Sequence, residues 1–221
     1  MKLLALDSAS TACSAAVLVD AAVVAERFEA MARGQAQALM PMIAAVMADV
    51  PFDALDAVAV TVGPGAFTGV RIGLAAARGL TLARGIPVIG ITTLEAVAYP
   101  ALAELRDGAA LVAAVDSKRA EIFVQVFDDS LQALTDPFAA TPSDAVSRLP
   151  KGPLLLAGDG TEGLRALLGA RARMSRSGAP RASAFARLAA RRVASGHAAP
   201  PRPFYMRPPD ARPMPERVGN G

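Results

Sequence analysis

A glycine-rich turn between an apolar run and a helical pattern constrains this fold more than any other segment. Residues 58–62 are apolar and mostly β-branched and predict a buried strand, and the alanine- and leucine-rich sequence up to about residue 84 predicts a helix. Gly63, Gly65 and Gly69 stand between them and allow the positive φ angles and close backbone approach that a direct reversal from strand to helix requires. The segment therefore predicts an α/β fold with backbone amides converging at this turn.

The glycine turn has two interpretations that the sequence leaves open. N–H groups at the start of the helix, aided by its dipole, favour a phosphate or carboxylate, and Thr68 and Arg71 lie close in sequence. However, glycine also marks tight packing turns that bind nothing, and the spacing matches neither a Walker loop nor a dinucleotide fingerprint. On the first interpretation, the candidate nucleotide- or phosphate-binding residues are Asp7, Gly63, Gly65, Thr68, Gly69 and Arg71.

Asp7 is a candidate because it ends the first apolar run, residues 3–7, and small hydroxyl side chains follow it. These groups could face the phosphates of a nucleotide or its metal. Alternatively, Asp7 could accept hydrogen bonds from the amides of its own turn. Asp116 follows a second such run, residues 109–115, and in both halves hairpin strands, helices and further strands come next. The chain therefore repeats one plan twice.

Other patterns complete the predicted elements. Apolar runs predict strands at residues 13–19, 23–29, 86–91, 121–127 and 154–157, and helical patterns predict helices at 93–106, after 161 and at 184–194. Thr92 and Glu95 form a capping-box pattern before the first of these helices, and Ser183 is the predicted cap of the last. Residues 136–153 carry prolines and short polar segments.

The C-terminal part is proline-dense from Pro200 onward. Phe204 and Tyr205 form an aromatic anchor within it, and the remainder is predicted to be extended or disordered. The predicted division is an N-terminal lobe at 1–106, a C-terminal lobe at 107–199 and a tail at 200–221.

Residues 35–49 form an alanine-rich helical pattern whose apolar side chains cover more than one stripe. Such a helix is either buried or an interface, and its methionines suit an adaptable contact surface. Pro41 predicts an irregular or broken helix, and Gly73 and Gly79 in the helix after the glycine turn predict a smooth face against another backbone. The predicted partner interface comprises Leu39, Met40, Ile43, Met47 and Gly73.

The composition excludes several classes of protein. The single cysteine, Cys13, permits no internal disulfide framework, and the short apolar start is not a signal peptide. No run approaches the roughly 20 apolar residues of a membrane helix, so we expect a cytoplasmic protein without membrane association. His197 is the only histidine, and Cys13 has no histidine companion, so we predict neither a metal site nor catalytic residues.

The charge is unevenly distributed along the chain. Residues 1–164 hold 11 Lys and Arg against 18 Asp and Glu, a net charge of −7, whereas residues 165–221 hold 12 Arg against Asp210 and Glu216, a net charge of +10. Arginine forms bidentate pairs with phosphates and carboxylates. This segment could therefore contact phosphates or an acidic partner surface, or could simply be a solvated surface.

Several segments resemble the bacterial TsaB (YeaZ) family. The most specific is residues 63–73, which is similar to the family signature with Ala66 where serine is common. Further matches lie at residues 6–9, 90–95, 116–123 and 204–207, so the resemblance spans nearly the whole chain. It implies an actin-like ATPase (ASKHA) fold, in which two ribonuclease-H-like lobes contain mixed sheets flanked by helices. Gln35 stands where the family often has histidine, which leaves any role of that position open.

The resemblance also implies a function. It implies a non-catalytic partner of a TsaD-type threonylcarbamoyltransferase, required for forming threonylcarbamoyladenosine next to the anticodon of tRNAs that read codons starting with A. The implied partners are the TsaD-type paralogue, which it activates as a heterodimer, a TsaE-type ATPase, and tRNA through the complex. No tightly bound cofactor is implied; ATP or ADP at or near the interface, and a homodimer of the free chain, remain open.

The alternative function is a stand-alone ATP-binding phosphotransferase or ATPase of the actin-like superfamily. Asp7 and the glycine turn would then hold the phosphates. Only Asp7 and Asp116 are candidate metal-binding carboxylates, and no adenosine-pocket sequence accompanies them.

Overall fold

Two mixed β-sheets dominate the fold in the computed structural model, which describes residues 1–82, 84–106 and 108–207. The first sheet has the strand order β3-β2-β1-β4-β5, and the second has the order β10-β9-β6-β7-β8. The strands are β1 (Lys2–Asp7), β2 (Ala12–Val19), β3 (Ala22–Ala30), β4 (Ala57–Thr61), β5 (Val88–Ile91), β6 (Ala110–Asp116), β7 (Ile122–Phe127), β8 (Phe138–Ala140), β9 (Leu154–Ala157) and β10 (Ala172–Met174). The helices are α1 (Gln35–Val46), α2 (Phe67–Leu82), α3 (Thr93–Ala101), α4 (Pro142–Arg148), α5 (Glu162–Leu168) and α6 (Ala182–Ala194), with 3₁₀ turns at Phe52–Ala54, Leu102–Glu104 and Gly169–Arg171.

The two sheets repeat one topology. In the first, β1 pairs antiparallel with β2 and parallel with β4, with Leu4 opposite both Val17 and Val58. In the second, β6 pairs antiparallel with β7 and parallel with β9, with Val112 opposite both Val126 and Leu156. This duplication confirms the predicted α/β fold of two ribonuclease-H-like lobes in the actin-like arrangement.

Helices cover both faces of each sheet, which is why the central strands are apolar throughout. Leu4 and Leu6 of β1 face α1 and α2 on one side, whereas Leu3 and Ala5 face α6 on the other. Helices α4 and α5 cover one face of the second sheet, and α3 covers the other. Among the described residues, none of these helices is long and apolar enough to cross a membrane.

The last helix of each half packs on the sheet of the other half. Helix α3 follows β5 in sequence but contacts β6, β7 and β9, and α6 follows β10 but contacts β1 and β2. The side chains of Leu94 and Val97 enter the core of the second sheet, and Phe185 and Leu188 enter the core of the first. Because each of these helices packs on the sheet of the other half, the two halves share their cores. The division into domains at 1–106, 107–199 and 200–221 stays a prediction.

Two predicted helix features are wrong. Helix α1 continues without a break through Pro41, whose ring lies on the exposed side, while buried Leu39 and Ile43 hold the helix on the first sheet. Tertiary packing therefore outweighs the hydrogen bond that proline removes. Ser183 does not cap α6: Arg181 precedes the first turn, and the Ser183 hydroxyl donates to Glu26 Oε1 over 2.6 Å.

Other element boundaries also differ from the predicted ones. Helix α3 ends at Ala101 and continues as a 3₁₀ turn, short of the predicted residue 106. Residues 136–153 contain β8 and α4, which the sequence reading missed. The signal for α4 was present, because the Thr141 hydroxyl accepts from the Asp144 amide as an N-cap and Pro142 occupies the first helical position.

Candidate functional site

Asp7 lies fully buried at the end of β1, and its hydrogen-bond partners lie at the same edge of the first sheet. Its Oδ1 accepts from the Thr61 hydroxyl at 2.5 Å and the Ala9 amide at 3.2 Å, and its Oδ2 accepts from the Ser10 hydroxyl at 3.2 Å. Burial raises the pKa of the Asp7 carboxyl to about 6, and these hydrogen bonds oppose the rise. The carboxylate therefore accepts hydrogen bonds from the amide and hydroxyl of its own turn, and binding of a phosphate or metal at Asp7 stays a prediction.

The glycine turn packs directly onto the turn that follows Asp7. A Cβ on Gly65 would overlap the Ala9 carbonyl, and a Cβ on Gly69 would overlap the Ser8 carbonyl. The Ala66 amide donates to Ala9 O over 2.8 Å, and the Ser8 hydroxyl donates to Gly69 O over 2.8 Å. Close packing of α2 against this turn is thus sufficient to explain these two glycines. Binding of a phosphate there stays a prediction.

Gly63 faces a different neighbour, residues 199–207, which we call the C-terminal strap. Its φ is +102°, and a Cβ would overlap the carbonyl oxygen of Phe204. The Phe204 amide donates to Val62 O over 2.7 Å, and the Gly90 amide donates to Ala199 O over 2.9 Å. The strap therefore lies across the ends of β4 and β5.

Arg71 holds the strap. Its guanidinium carbon stands 3.8 Å from the centroid of the Phe67 ring, which in turn stands 4.8 Å from the Tyr205 ring centroid. Arg71 Nε also donates to the Tyr205 hydroxyl over 3.3 Å, and Arg78 Nη2 donates to Pro201 O over 2.9 Å. Arg71, predicted as a phosphate ligand, is thus engaged with aromatic rings and the strap.

The strap continues from the first lobe to the second. Phe204 and Tyr205 pack against the core between the first sheet and its outer helices, whereas Met206 packs against the second sheet. Arg207 pairs with Glu121 and lies over the Phe123 ring, 5.6 Å from its centroid. The predicted aromatic anchor is therefore packed in place: residues 204–207 are half-buried, whereas Arg202 and Pro203 before them are exposed. The part of the predicted tail from residue 208 to 221 lies outside the described residues.

Two clefts open on either side of the first turn of α2. The larger, about 390 Å³, lies among the glycine turn, the strap and the β6–β7 turn. The other, about 330 Å³, is lined by Ser10, Gln35, Asp116 and Lys118. Thr68 lines both clefts, so among the predicted ligands it has the best access to a bound molecule.

Charged groups of the second lobe border these clefts. Lys118 Nζ lies 2.9 Å from Asp116 Oδ2. Burial alone would raise the pKa of Asp116, but hydrogen bonds from the side chain and backbone of Lys118 and its charge outweigh burial, and the pKa is lowered. Gln35, where the family often has histidine, donates to the Met31 carbonyl over 3.2 Å.

Asp159 connects the two lobes, and the sequence patterns did not identify it as a site residue. Its Oδ2 accepts from the Thr11 hydroxyl at 2.5 Å, and its Oδ1 accepts from the Asp116 amide at 3.0 Å. Asp159 follows β9 at the position where the glycine turn follows β4, so the repeated topology is the signal that could have identified it.

Four of the five predicted partner-interface residues are core residues of this chain. The side chains of Leu39, Ile43 and Met47 are buried, and a Cβ on Gly73 would meet the Ser8 hydroxyl. Met40 differs, with 49% of its surface exposed. The interface itself stays a prediction, and any contact made in this conformation involves the exposed side of the two helices. We call that side the α1–α2 face and define it by Met40, Ala44, Ala75, Gly79 and Leu82.

Two further predicted residues occupy ordinary positions. Cys13 is fully buried, and burial, together with the nearby charges of Asp7 and Glu29, raises the pKa of its thiol to about 12. His197 is exposed. In the part of the chain that the structure describes, no group of three or more His, Cys, Asp or Glu side chains could hold a metal ion.

Comparisons with known proteins cover most of the chain. Residues 27–185 match the TsaD family, described as tRNA N6-adenosine threonylcarbamoyltransferase. The tRNA threonylcarbamoyladenosine biosynthesis protein TsaB of Escherichia coli is 38% identical over 126 residues, which cover 56% of this chain and 53% of that protein. An uncharacterized protein of Mycobacterium tuberculosis is 32% identical over 221 residues, 96% of this chain and 94% of that protein. The structure of YeaZ from Pseudomonas aeruginosa superposes with a TM-score of 0.78 at 28% identity, over 92% of this chain and 99% of that one.

Proposed function

The chain belongs to the TsaB (YeaZ) family, and on that premise we propose that it is a non-catalytic subunit required for forming threonylcarbamoyladenosine in tRNA. The name of the Escherichia coli relative supports this pathway. Since the match to that relative covers about half of its length, the pathway, the substrate and the partners of this chain are all part of the proposal. The partner we assign is a TsaD-type threonylcarbamoyltransferase, which the chain binds as a heterodimer and activates.

The observation that carries the proposal is the α1–α2 face. Helix α1 contains no charged residue, and its exposed residues include Met40 and Ala44. On α2, Ala75 and Gly79 are exposed next to Leu82, whose exposed fraction is 86%. Small residues allow close approach of a second helix, and large apolar side chains at the edges gain stability when covered. This face therefore suits a helical protein partner.

The composition supports a role without catalysis of its own. A metal site built on two imidazoles cannot form within this chain, because His197 is its only histidine. The buried Cys13 thiol, with its raised pKa, is not a nucleophile at neutral pH. Transfer of the threonylcarbamoyl group is accordingly assigned to the partner.

Additional partners belong to the same proposal. A TsaE-type ATPase and tRNA would join the heterodimer, and ATP or ADP would bind at or near the interface in the complex. The free chain could form a homodimer through the α1–α2 face, which would compete with the heterodimer. The cytoplasm is the compartment in which this reaction would take place.

The first test is co-elution of the chain with a purified TsaD-type paralogue in size-exclusion chromatography. We expect Met40→Asp to abolish co-elution, because it places a charge in an apolar interface. Leu134→Asp is the matched control, since Leu134 is similarly exposed, at 53%, but lies in the second lobe. Retention of the Met40→Asp variant in the complex would refute this interface.

The second test is tRNA modification in a mixture of the paralogue, the ATPase, an adenylate-forming enzyme, ATP, threonine, bicarbonate and tRNA. We expect product only when the chain is present. Equal product in its absence would refute the proposed function. ATP turnover by the isolated chain, lost in Asp7→Ala, would instead support the alternative of a stand-alone ATPase.

A further inference from the structure

A groove between α3 and the residues 176–191 carries exposed arginines that the proposed heterodimer interface does not use. One part of the groove, about 360 Å³, contains Arg176 and Arg181, and the other, about 340 Å³, contains Arg187 and Arg191. Both parts share Pro100 and Ala184, so they form one continuous channel. We call this channel the arginine groove.

Aromatic rings orient two of these guanidinium groups. The Arg181 guanidinium carbon lies 4.0 Å from the centroid of Phe28, and that of Arg191 lies 5.5 Å from the centroid of Tyr99. A guanidinium that rests on a ring is restrained and keeps its N–H edges available for a planar or tetrahedral anion. Arg187 and Arg191 are four residues apart on α6, so their side chains lie on the same side of the helix.

The carboxylates near the groove neutralise only part of this charge. Glu104 lies 3.8 Å from Arg176, and Glu26 lies 3.5 Å from Arg181. Among the described residues, the ion pairs include neither Arg187 nor Arg191, and Arg187 Nη1 donates to the Ser183 carbonyl over 3.4 Å. The end of the groove toward the C-terminus of α6 therefore carries two uncompensated positive charges next to the Tyr99 ring.

We propose that the arginine groove binds phosphate groups of tRNA, which rests on the proposed function for the identity of the RNA. Arginine binds phosphate through charge-assisted hydrogen bonds, and neighbouring arginines along a channel with an aromatic ring at its side match a nucleic-acid backbone with an adjacent base. An acidic protein segment could pair with the same arginines, but its carboxylates make no specific contact with the aromatic ring. RNA is therefore the occupant that fits both features.

The arginine groove and the α1–α2 face can be occupied at the same time. Helix α6 packs on one face of the first sheet, and α1 and α2 pack on the opposite face. A partner protein on the outer helices leaves the arginines of α6 free. The chain would thus contribute RNA contacts to a complex whose catalytic centre lies in another subunit.

The test measures binding of a labelled tRNA transcript to the full-length chain by fluorescence anisotropy, between about 20 and 200 mM salt. The variant is Arg187→Gln/Arg191→Gln, which removes both uncompensated charges. The control is Arg148→Gln/Arg165→Gln, which removes the same charge from α4 and α5 on the outer face of the second sheet. Loss of two phosphate contacts makes the slope of log K against log salt shallower by about 1.4 to 1.8. At about 0.1 M salt this corresponds to a roughly 25- to 60-fold loss of affinity, and the control is expected to bind like the wild type.

Three results would overturn the proposal. The first is wild-type affinity and slope in the groove variant, and the second is an equal loss in the control, which would indicate only general charge. The third is groove-dependent binding of a polyglutamate peptide without any binding of tRNA, which would assign the groove to an acidic protein. Co-elution with the paralogue is measured on the same groove variant. A groove variant that still co-elutes with the paralogue but no longer binds RNA supports RNA binding by the arginine groove. If the proposed heterodimer is wrong, the wild-type chain also fails to co-elute with the paralogue.

Discussion

Glu95 in α3 and Arg192 in α6 form a bidentate ion pair. These are the two helices that each pack on the sheet of the other lobe. Arg192 Nη2 donates to Glu95 Oε1 over 2.5 Å, and Nη1 donates to Oε2 over 3.3 Å. The same carboxylate accepts from the Thr92 amide over 2.9 Å and completes the capping box of α3. Burial acts to raise the pKa of Glu95, but Arg192 and the Thr92 hydrogen bonds outweigh it, so the pKa is lowered. The pair therefore joins a local helix cap to the long-range packing of the lobes.

The first prediction is that Arg192→Ala lowers the free energy of unfolding by about 2 to 3 kcal/mol at neutral pH, because it leaves a mostly buried carboxylate without its partner. The exposed neighbour provides the control, and Arg191→Ala is expected to change stability by less than about 0.5 kcal/mol. Since the pKa of Glu95 is lowered in the fold, this stabilisation is present above the ordinary pKa and is lost as the pH falls through the folded one. Urea unfolding at neutral and acidic pH measures both effects, and equal losses in the two variants would contradict the prediction.

Local patterns in the sequence predicted much of the fold. The capping box at Thr92 and Glu95, the strand ending at Asp7 and the repeat of that plan at Asp116 are all present. Each of these depends on residues close together in the chain, and short-range propensity carries that information. The repeated plan of elements is therefore predicted from short-range signals, whereas the order of the strands in each sheet is seen only in the structure.

Other relationships could not be predicted because they join distant residues. The glycine at position 63 indicates a special backbone conformation, but the neighbour that excludes a side chain there is Phe204, far away in sequence. Likewise, a helix that is apolar on most sides has no periodicity from which to separate buried Leu39 from exposed Met40. The site is therefore predicted less completely than the strands.

A pair of glycine substitutions is expected to have opposite effects. Gly63→Ala should lower the free energy of unfolding by about 2 kcal/mol or more, because the residue has positive φ and a Cβ would displace the strap. Gly79→Ala should raise it by about 1 kcal/mol, since Gly79 is inside α2 and a Cβ there meets no atom within 4 Å. Hydrogen exchange of the Phe204 amide reports on the strap directly. Unchanged protection of this amide in Gly63→Ala would contradict the proposed cause.

Gly79 also allows stability and partner binding to be separated. We expect Gly79→Leu to stabilise the free chain by about 0.8 kcal/mol through helix propensity. The same substitution should weaken co-elution with the TsaD-type paralogue, because a large side chain projecting from the α1–α2 face keeps a partner helix from approaching closely. The control is Ala166→Leu on the exposed side of α5, which should leave both properties nearly unchanged. Thermal unfolding and size-exclusion chromatography on the same samples measure the two effects. Undiminished co-elution of Gly79→Leu would exclude close packing at this position.

The last prediction concerns the buried carboxyl of Asp7, whose pKa is raised from 3.8 to about 6 in the fold. The protonated form is favoured in the folded protein, so the stabilisation from Asp7 is fully present below about pH 4 and is lost as the pH rises through about 6. Asp7→Asn keeps an acceptor for the Thr61 hydroxyl and the Ala9 amide and cannot ionise. The Ser10 hydroxyl, which donates to Asp7 Oδ2 in the wild type, has to turn and accept from the NH2 group of the variant. Relative to the wild type, the variant should therefore gain about 3 kcal/mol of stability between those two pH values, since each pKa unit corresponds to about 1.4 kcal/mol. Urea unfolding of both proteins across this range measures the difference, and a difference that is constant with pH would show that Asp7 ionises in the fold as readily as in the unfolded chain.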